Sequence, residues 1–274
     1  MNKHLLFDKS RGIATITLNR PKDYNAFSTE MLKGWISALE EVRRDDDIKV
    51  LVLTGAGNAF CAGGDVKAVS RGEGFVDNIS SLINTGTKIL DLKKSLSDFI
   101  HRVAFILEDI DKPVIASING PAMGAGLDMA LMCDLRVAAA EAIFAESYIR
   151  LGLVSGDGGS YFLPRLIGLP RALELLWTGE SIDAQEALKI GLVNKVVPLT
   201  NLREETMKLA TKLAEKPPVA IRLIKRAVYQ GLKSDLRTSL DLASSHMAIV
   251  TQTEDHREAL KAFFEKKETV YKGR

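Results

Sequence analysis

Pro113-Val114-Ile115-Ala116-Ser117-Ile118-Asn119-Gly120-Pro121-Ala122-Met123-Gly124-Ala125-Gly126-Leu127-Asp128 is the stretch on which the fold turns. An apolar, β-branched run reads as a buried strand, Asn119-Gly120 as a turn, and the small residues that follow as the entry to an apolar helix. Cys133-Asp134-Leu135-Arg136-Val137-Ala138 reads as a second strand, and Ser155-Gly156-Asp157-Gly158-Gly159 as another glycine turn before a helix near Ser160. Strand, glycine turn and helix start together bring backbone N–H groups to one place where negative charge can be held.

The flanking chain has the same grain. Residues 4–8 and 12–18 read as two short strands, Ser28 as the cap of a helix to Arg44, and Val50–Gly55 as a buried strand. Met31, Leu32, Trp35, Ile36, Leu39 and Val42 give that helix its apolar stripe. Residues 66–86 have no clean period and read as mobile. A helix over Thr87–Asp109 carries Leu90, Phe99 and Phe105, which read as the wall of a pocket or as core. After Gly168 come helices at Pro170–Thr178 and Asp183–Ile190 and a strand at Leu192–Val197. Four helices follow, near Thr200–Glu215, Pro218–Gln230, Asp235–Ile249 and Thr253–Lys267. Alternating strands and helices make an α/β core over residues 1–199, with a helical extension over 200–274.

Of the 274 residues, 46% are hydrophobic and 26% charged, with a formal charge of +2, which gives no electrostatic case for nucleic acid or an acidic membrane surface. No apolar run approaches the roughly 18 residues of a membrane span. The first residues enter strand-like sequence directly, without a basic region and apolar signal core, so the expected compartment is the cytoplasm. Cys61 and Cys133 form no disulfide framework, and four scattered histidines give no metal site. No glycine fingerprint opens the first helix, which disfavours a nicotinamide enzyme.

Asn19-Arg20-Pro21 with Asn25-Ala26, then Phe60-Cys61-Ala62-Gly63-Gly64-Asp65, then Gly120 to Cys133-Asp134, Pro164-Arg165-Leu166-Ile167-Gly168 and Gly191-Leu192-Val193 resemble, in order, the crotonase (enoyl-CoA hydratase/isomerase) superfamily. The resemblance covers residues 5 to 267. It implies a repeated ββα superhelix, a C-terminal helical trimerisation region, and a homo-trimer or a hexamer of paired trimers. It implies an acyl-CoA thioester substrate, with coenzyme A entering as part of the substrate and no permanently bound cofactor. The carbonyl becomes an enolate oxyanion held by two backbone N–H groups, assigned by motif position to Ala62 and Ala125. Asn25, Ala26, Ala62, Gly63, Gly64, Asp65 and Gly124 match segments that line the coenzyme A path. Phe263 and Lys266 match residues that reach the nucleotide of a neighbouring subunit.

The catalytic acids depart from the pattern. Hydratases of the superfamily use two glutamates to position water and move its proton, a division of labour expected of paired carboxylates. Asp128 holds the first position and Tyr148 the second, and a phenol is a poor base toward water. Asp157 is a second acid or the cap of the following helix. Glu146 is a further candidate, although strand alternation gives it only approximately the facing of Tyr148. The leading expectation is an enoyl-CoA hydratase-type lyase. The alternatives are an enoyl-CoA double-bond isomerase or an acyl-CoA hydrolase or decarboxylase, using Asp128, Asp157 or both, and a non-catalytic acyl-CoA binder. A serine peptidase on the same architecture lacks a suitable Ser/His/Asp set.

Overall fold

A computed structural model describes residues 3–67 and 89–274 of the chain. Its main sheet has six strands: β1 (Leu5–Ser10), β2 (Ile13–Leu18), β3 (Val50–Gly55), β4 (Val114–Ile118), β6 (Leu135–Ala139) and β9 (Lys195–Val197), side by side in that order. Only the β1–β2 hairpin is antiparallel, turning through Arg11 and Gly12, which both take positive φ. The other four pairings are parallel, with Ala14 opposite Leu51, Leu53 opposite Ala116 and Ser117 opposite Val137.

Parallel strands covered on both faces have to be apolar throughout, and β4 is buried at every position. Alternation then sorts the side chains. Leu51 and Leu53 face the larger core, with Ile16, Phe27, Trp35 and Phe60. Val50 and Val52 face the opposite layer, with Ile115, Val137 and the apolar stripe of α8 (Leu199–Ala214). On the larger core lies α1 (Thr29–Arg44), started by the Ser28 hydroxyl, which accepts from the Met31 N–H at 3.1 Å. The expected single helix over Thr87–Asp109 is two, α2 (Ile89–Asp98) and α3 (Ile100–Asp109), broken at Phe99, whose φ and ψ of −120° and −82° are not helical.

Three short strands form a second sheet that the sequence pattern does not reveal: β5 (Ala122–Met123), β7 (Ile143–Ala145) and β8 (Ile182–Asp183). Isolated bridges from Cys61 to Ala122 and from Gly64 to Phe27 continue the same edge. The chain therefore gives one strand to the large sheet and one to the small, then a helix, and does so repeatedly. That is β4–β5–α4 (Ala125–Leu131), then β6–β7–α5 (Gly159–Ile167), the expected ββα superhelix. After α6 (Leu169–Thr178) and α7 (Ala184–Lys189), the chain closes the large sheet with β9.

Beyond α8 lie α9 (Pro218–Gly231), α10 (Leu236–Thr251) and α11 (Glu254–Glu265). Charge anchors α9 to the core. Arg222 pairs with Asp111 and Asp46 and Lys225 with Asp134, and just past the helix Lys233 pairs with Glu108. These three helices bury almost nothing: Asp255 is their one buried residue, while Leu236, Met247, Phe263 and Phe264 are exposed. No helix among the described residues is long and apolar enough to cross a membrane.

Candidate active site

Two turns meet at the small sheet. Met123 N–H donates to Cys61 O at 2.9 Å, which lays the start of α4 against the Cys61–Gly64 loop. Only glycine fits the contact. A Cβ on Gly126 would stand 2.2 Å from Cys61 O, and one on Gly63 would stand 2.8 Å from Met123 O and 3.1 Å from Ala125 N. Gly63 and Gly124 also take φ of +83° and +50°, where other residues are strained. The Ala125 N–H, at the first position of α4, has no hydrogen-bond partner among the described residues.

The second donor is not the one expected. Ala62 N–H is spent on Tyr24 O at 2.9 Å, and Gly63 N–H faces Cys61 Sγ at 3.3 Å. The N–H of Gly64 is the next in the loop, and it has no partner among the described residues. Gly64 has open space where a Cβ would be, while a Cβ on Gly63 would crowd Ala125 N. Ala62 N–H is therefore not free to hold an oxyanion, and among the described residues the free amide of this loop is that of Gly64. The parallel bridge to Phe27 turns successive amides to alternate sides, which a motif read in one dimension does not register.

Asn25 is likewise reassigned. It is fully buried, and its carboxamide donates to Ala56 O, Ala59 O and Phe60 O while accepting from Arg20 N–H. It shapes the loop that carries Gly64 and presents no group to a ligand. Ala26 is buried beside it, and Asp65 pairs with Arg20 at 2.9 Å. Phe263, stacked edge-on with Phe264, is exposed on α11, and Lys266 caps that helix in the left-handed region. Phe99 packs against the core and Phe105 is exposed. The Leu90 side chain and the stretch expected to be mobile, from residue 68 onward, lie outside the described residues.

One turn into α4, Asp128 is fully buried. Tyr148, on a short 3-10 turn after β7, places its hydroxyl 2.7 Å from Asp128 Oδ2 and 2.7 Å from Asp157 Oδ2. Ser155 Oγ donates to Asp128 Oδ2 at 3.2 Å. Asp157 is not the cap of α5. That place is taken by Gly158 at φ +123°, and the carboxyl turns inward instead. His101 on α3 holds the loop through Gly156 O at 2.8 Å. Glu146 completes the cluster, buried under Asp128; it leaves strand register at the end of β7, so alternation underrates it.

A phenol has one proton and here faces two carboxyl groups, so the second contact needs a proton on a carboxyl or a moment when that bond is unmade. The environment favours protons. Burial pushes Asp128 up to about 6 against the Tyr148 hydrogen bond, which pulls it down. Burial raises Asp157 as well, and burial with the Asp128 charge raises Tyr148. The Tyr148 ring edge also stands 3.7 Å from the Cβ position of Gly124, so the carboxyl cluster adjoins the free N–H of Ala125. Among the described residues no group of His, Cys, Asp and Glu is arranged to hold a metal ion. Backbone donors for an anion beside a proton-sharing carboxyl pair can stabilise an enolate and move its proton.

Known proteins resemble this chain along nearly its whole length. A family model described as enoyl-CoA hydratase/isomerase matches residues 8–274. A short-chain-enoyl-CoA hydratase of Clostridium acetobutylicum is 35% identical, covering 96% of this chain and 95% of that protein. A 1,2-epoxyphenylacetyl-CoA isomerase of Escherichia coli is also 35% identical, over 100% of both chains. The crystal structure of an enoyl-CoA hydratase from Bacillus anthracis superposes with a TM-score of 0.89 at 36% identity, covering 99% of this chain and 100% of that one.

Proposed function

This chain belongs to the enoyl-CoA hydratase/isomerase family, and we propose that within it the protein is an enoyl-CoA double-bond isomerase. The observation that carries the reading is the Tyr148 hydroxyl, 2.7 Å from a carboxyl oxygen of Asp128 and of Asp157. A hydratase has to hold water between its two acids. Here the phenol occupies that point, and a hydroxyl between two acids relays protons instead.

The thioester oxygen takes the N–H groups of Gly64 and Ala125, each worth on the order of 3 kcal/mol to a developing oxyanion. Asp128 stands one helical turn from Ala125 and serves the α carbon of a 3-enoyl thioester. The Cα–H bond breaks, its electron pair enters the enolate, and the proton goes to Asp128 Oδ2. Asp157, on the far side of the phenol, gives its proton to the γ carbon as the double bond moves into conjugation. Tyr148 then accepts a proton from Asp128 and passes its own to Asp157, which restores both groups. No co-reactant is consumed, and coenzyme A enters only as part of the substrate.

Hydration is the second reading, favoured by the C. acetobutylicum hydratase among the relatives. Turnover of 3-enoyl and 2-enoyl thioesters in heavy water, followed by mass spectrometry, separates the two. Isomerisation gives product with no added water and at most partial deuterium on carbon. Uptake of a whole water molecule as the main product overturns the isomerase reading.

We further propose that the exposed apolar faces of α9, α10 and α11 are covered by other copies of this chain, in a trimer or paired trimers. Phe263 and Lys266 would there meet the coenzyme A nucleotide of a neighbouring subunit. Sedimentation equilibrium is expected to give about three or six times the 30.0 kDa of the chain. A mass that stays at one chain across the concentration range removes this assembly. On the same reading the enzyme works in the cytoplasm.

A further inference from the structure

Glu146 takes no part in the steps above, yet it is 1% exposed and neither of its carboxyl oxygens has a hydrogen-bond partner among the described residues. Asp128 Oδ1 is in the same position. Both groups crowd one point. The Cβ site of Gly159 lies 2.4 Å from Asp128 Oδ1, 2.8 Å from Glu146 Oε1 and 2.7 Å from Ser155 Oγ. The charged and titratable groups facing Glu146 are Asp128 on α4 and Asp157, with Tyr148 between them and His101 of α3 beyond Asp157. Two ionised carboxylates here would leave several buried oxygens unsatisfied and repelling one another, which disfavours the doubly charged state. A single proton removes that conflict, because a carboxylic acid is a donor where a carboxylate is only an acceptor.

We propose that Glu146 remains protonated through the catalytic cycle and donates to Asp128 Oδ1, acting as a positioning residue for the base. The inference rests on the reading of Asp128 as that base. Burial, and after it the charge of Asp128, push the Glu146 carboxyl up to about 10, in keeping with the geometry. With Oδ1 engaged by Glu146, exchange is confined to Oδ2, the oxygen shared with Tyr148 and Ser155. When Tyr148 turns its proton to Asp157, Oδ2 keeps a lone pair for the α hydrogen. The Gly159 N–H also faces the Asp128 carboxyl and favours its ionised form.

The test uses E146Q, which keeps a donor, and E146L, which does not. Infrared difference spectra of the substrate-free enzyme at neutral pH are expected to show the carbonyl stretches of two protonated carboxylic acids, one from Glu146, lost in E146Q and kept in D157N, and one from Asp157, lost in D157N and kept in E146Q. In kinetics, E146L is expected to lower kcat about tenfold or more with little change in KM. It should also move the acid limb of kcat/KM up by about one pH unit, a tenfold change in the proton affinity of Asp128. E146Q should leave that limb in place and recover most of the lost kcat. A spectrum in which E146Q loses no protonated-carboxyl band, a limb that moves down in E146Q, or one that stays put in E146L overturns the proposal. Failure of the Asp128 assignment looks different, because the infrared band needs no substrate. Loss of the band in E146Q together with full turnover in D128N keeps the proton on Glu146 and rejects Asp128 as the base. The positioning role falls with it.

Discussion

Asp128→Asn is expected to lower kcat by about 10³-fold, within the usual range for losing a positioned base, while the folded protein becomes harder to melt. The two effects share a cause. Asp128 is fully buried, with no partner among the described residues for Oδ1, and burial lifts its pKa from 3.8 to about 6. A carboxyl whose pKa rises on folding favours the folded state only while protonated. That contribution is present below pH 3.8 and is lost as pH climbs to about 6. Glu146, raised from 4.5 to about 10, carries the same loss on through neutral pH. Catalysis runs the other way, since the base has to be ionised, so kcat/KM should rise through about pH 6. Melting curves and pH–rate profiles of both proteins check the pair. A variant that keeps its activity, or melts below the parent at pH 7, contradicts the assignment.

Gly126→Ala should be nearly as damaging, although alanine is about 1 kcal/mol better than glycine inside a helix. Its Cβ would sit 2.2 Å from Cys61 O and 2.7 Å from Cys61 C. Both are backbone atoms of the facing turn, so no side chain can swing aside. The turns have to part, which draws Gly64 N–H away from Ala125 N–H. Losing one oxyanion donor costs about 10²- to 10³-fold in kcat, and the forced gap lowers the melting temperature as well. Near-normal kcat with a raised melting temperature would mean that helix propensity wins and that the turn contact is loose.

What can be read from the sequence tracks how local the determining interaction is. The buried strands Val50–Gly55 and Val114–Ile118 and the Ser28-capped helix announce themselves through apolar runs and a cap, each contained in one segment. The two- and three-residue strands of the small sheet are too short to carry a pattern. The site divides in the same way. Ala125 is marked by the turn and helix start around it. The choice between Ala62 and Gly64 depends on which amide Tyr24 O captures, a contact made across the fold. Asp157 looks like a cap in one dimension because a helix follows it. Tyr148 and Asp128 make it a member of the carboxyl cluster instead. Glu146 lies two residues before Tyr148, and the 3-10 turn after β7 is what brings both to one place.

The order of strands in the large sheet also governs how the molecule can be made. Its strands stand in the sequence in which they are synthesised, each beside its predecessor in that sheet. A chain emerging from the ribosome therefore never has to hold a strand unpaired while awaiting a distant partner, which shortens the life of sticky edges. The last position, beside β6, is filled by only three residues, Lys195–Val197. By then Asp128, Glu146, Tyr148 and Asp157 have all been synthesised. This carboxyl cluster can thus be laid down during translation, before the helices of the tail exist to be paired with anything.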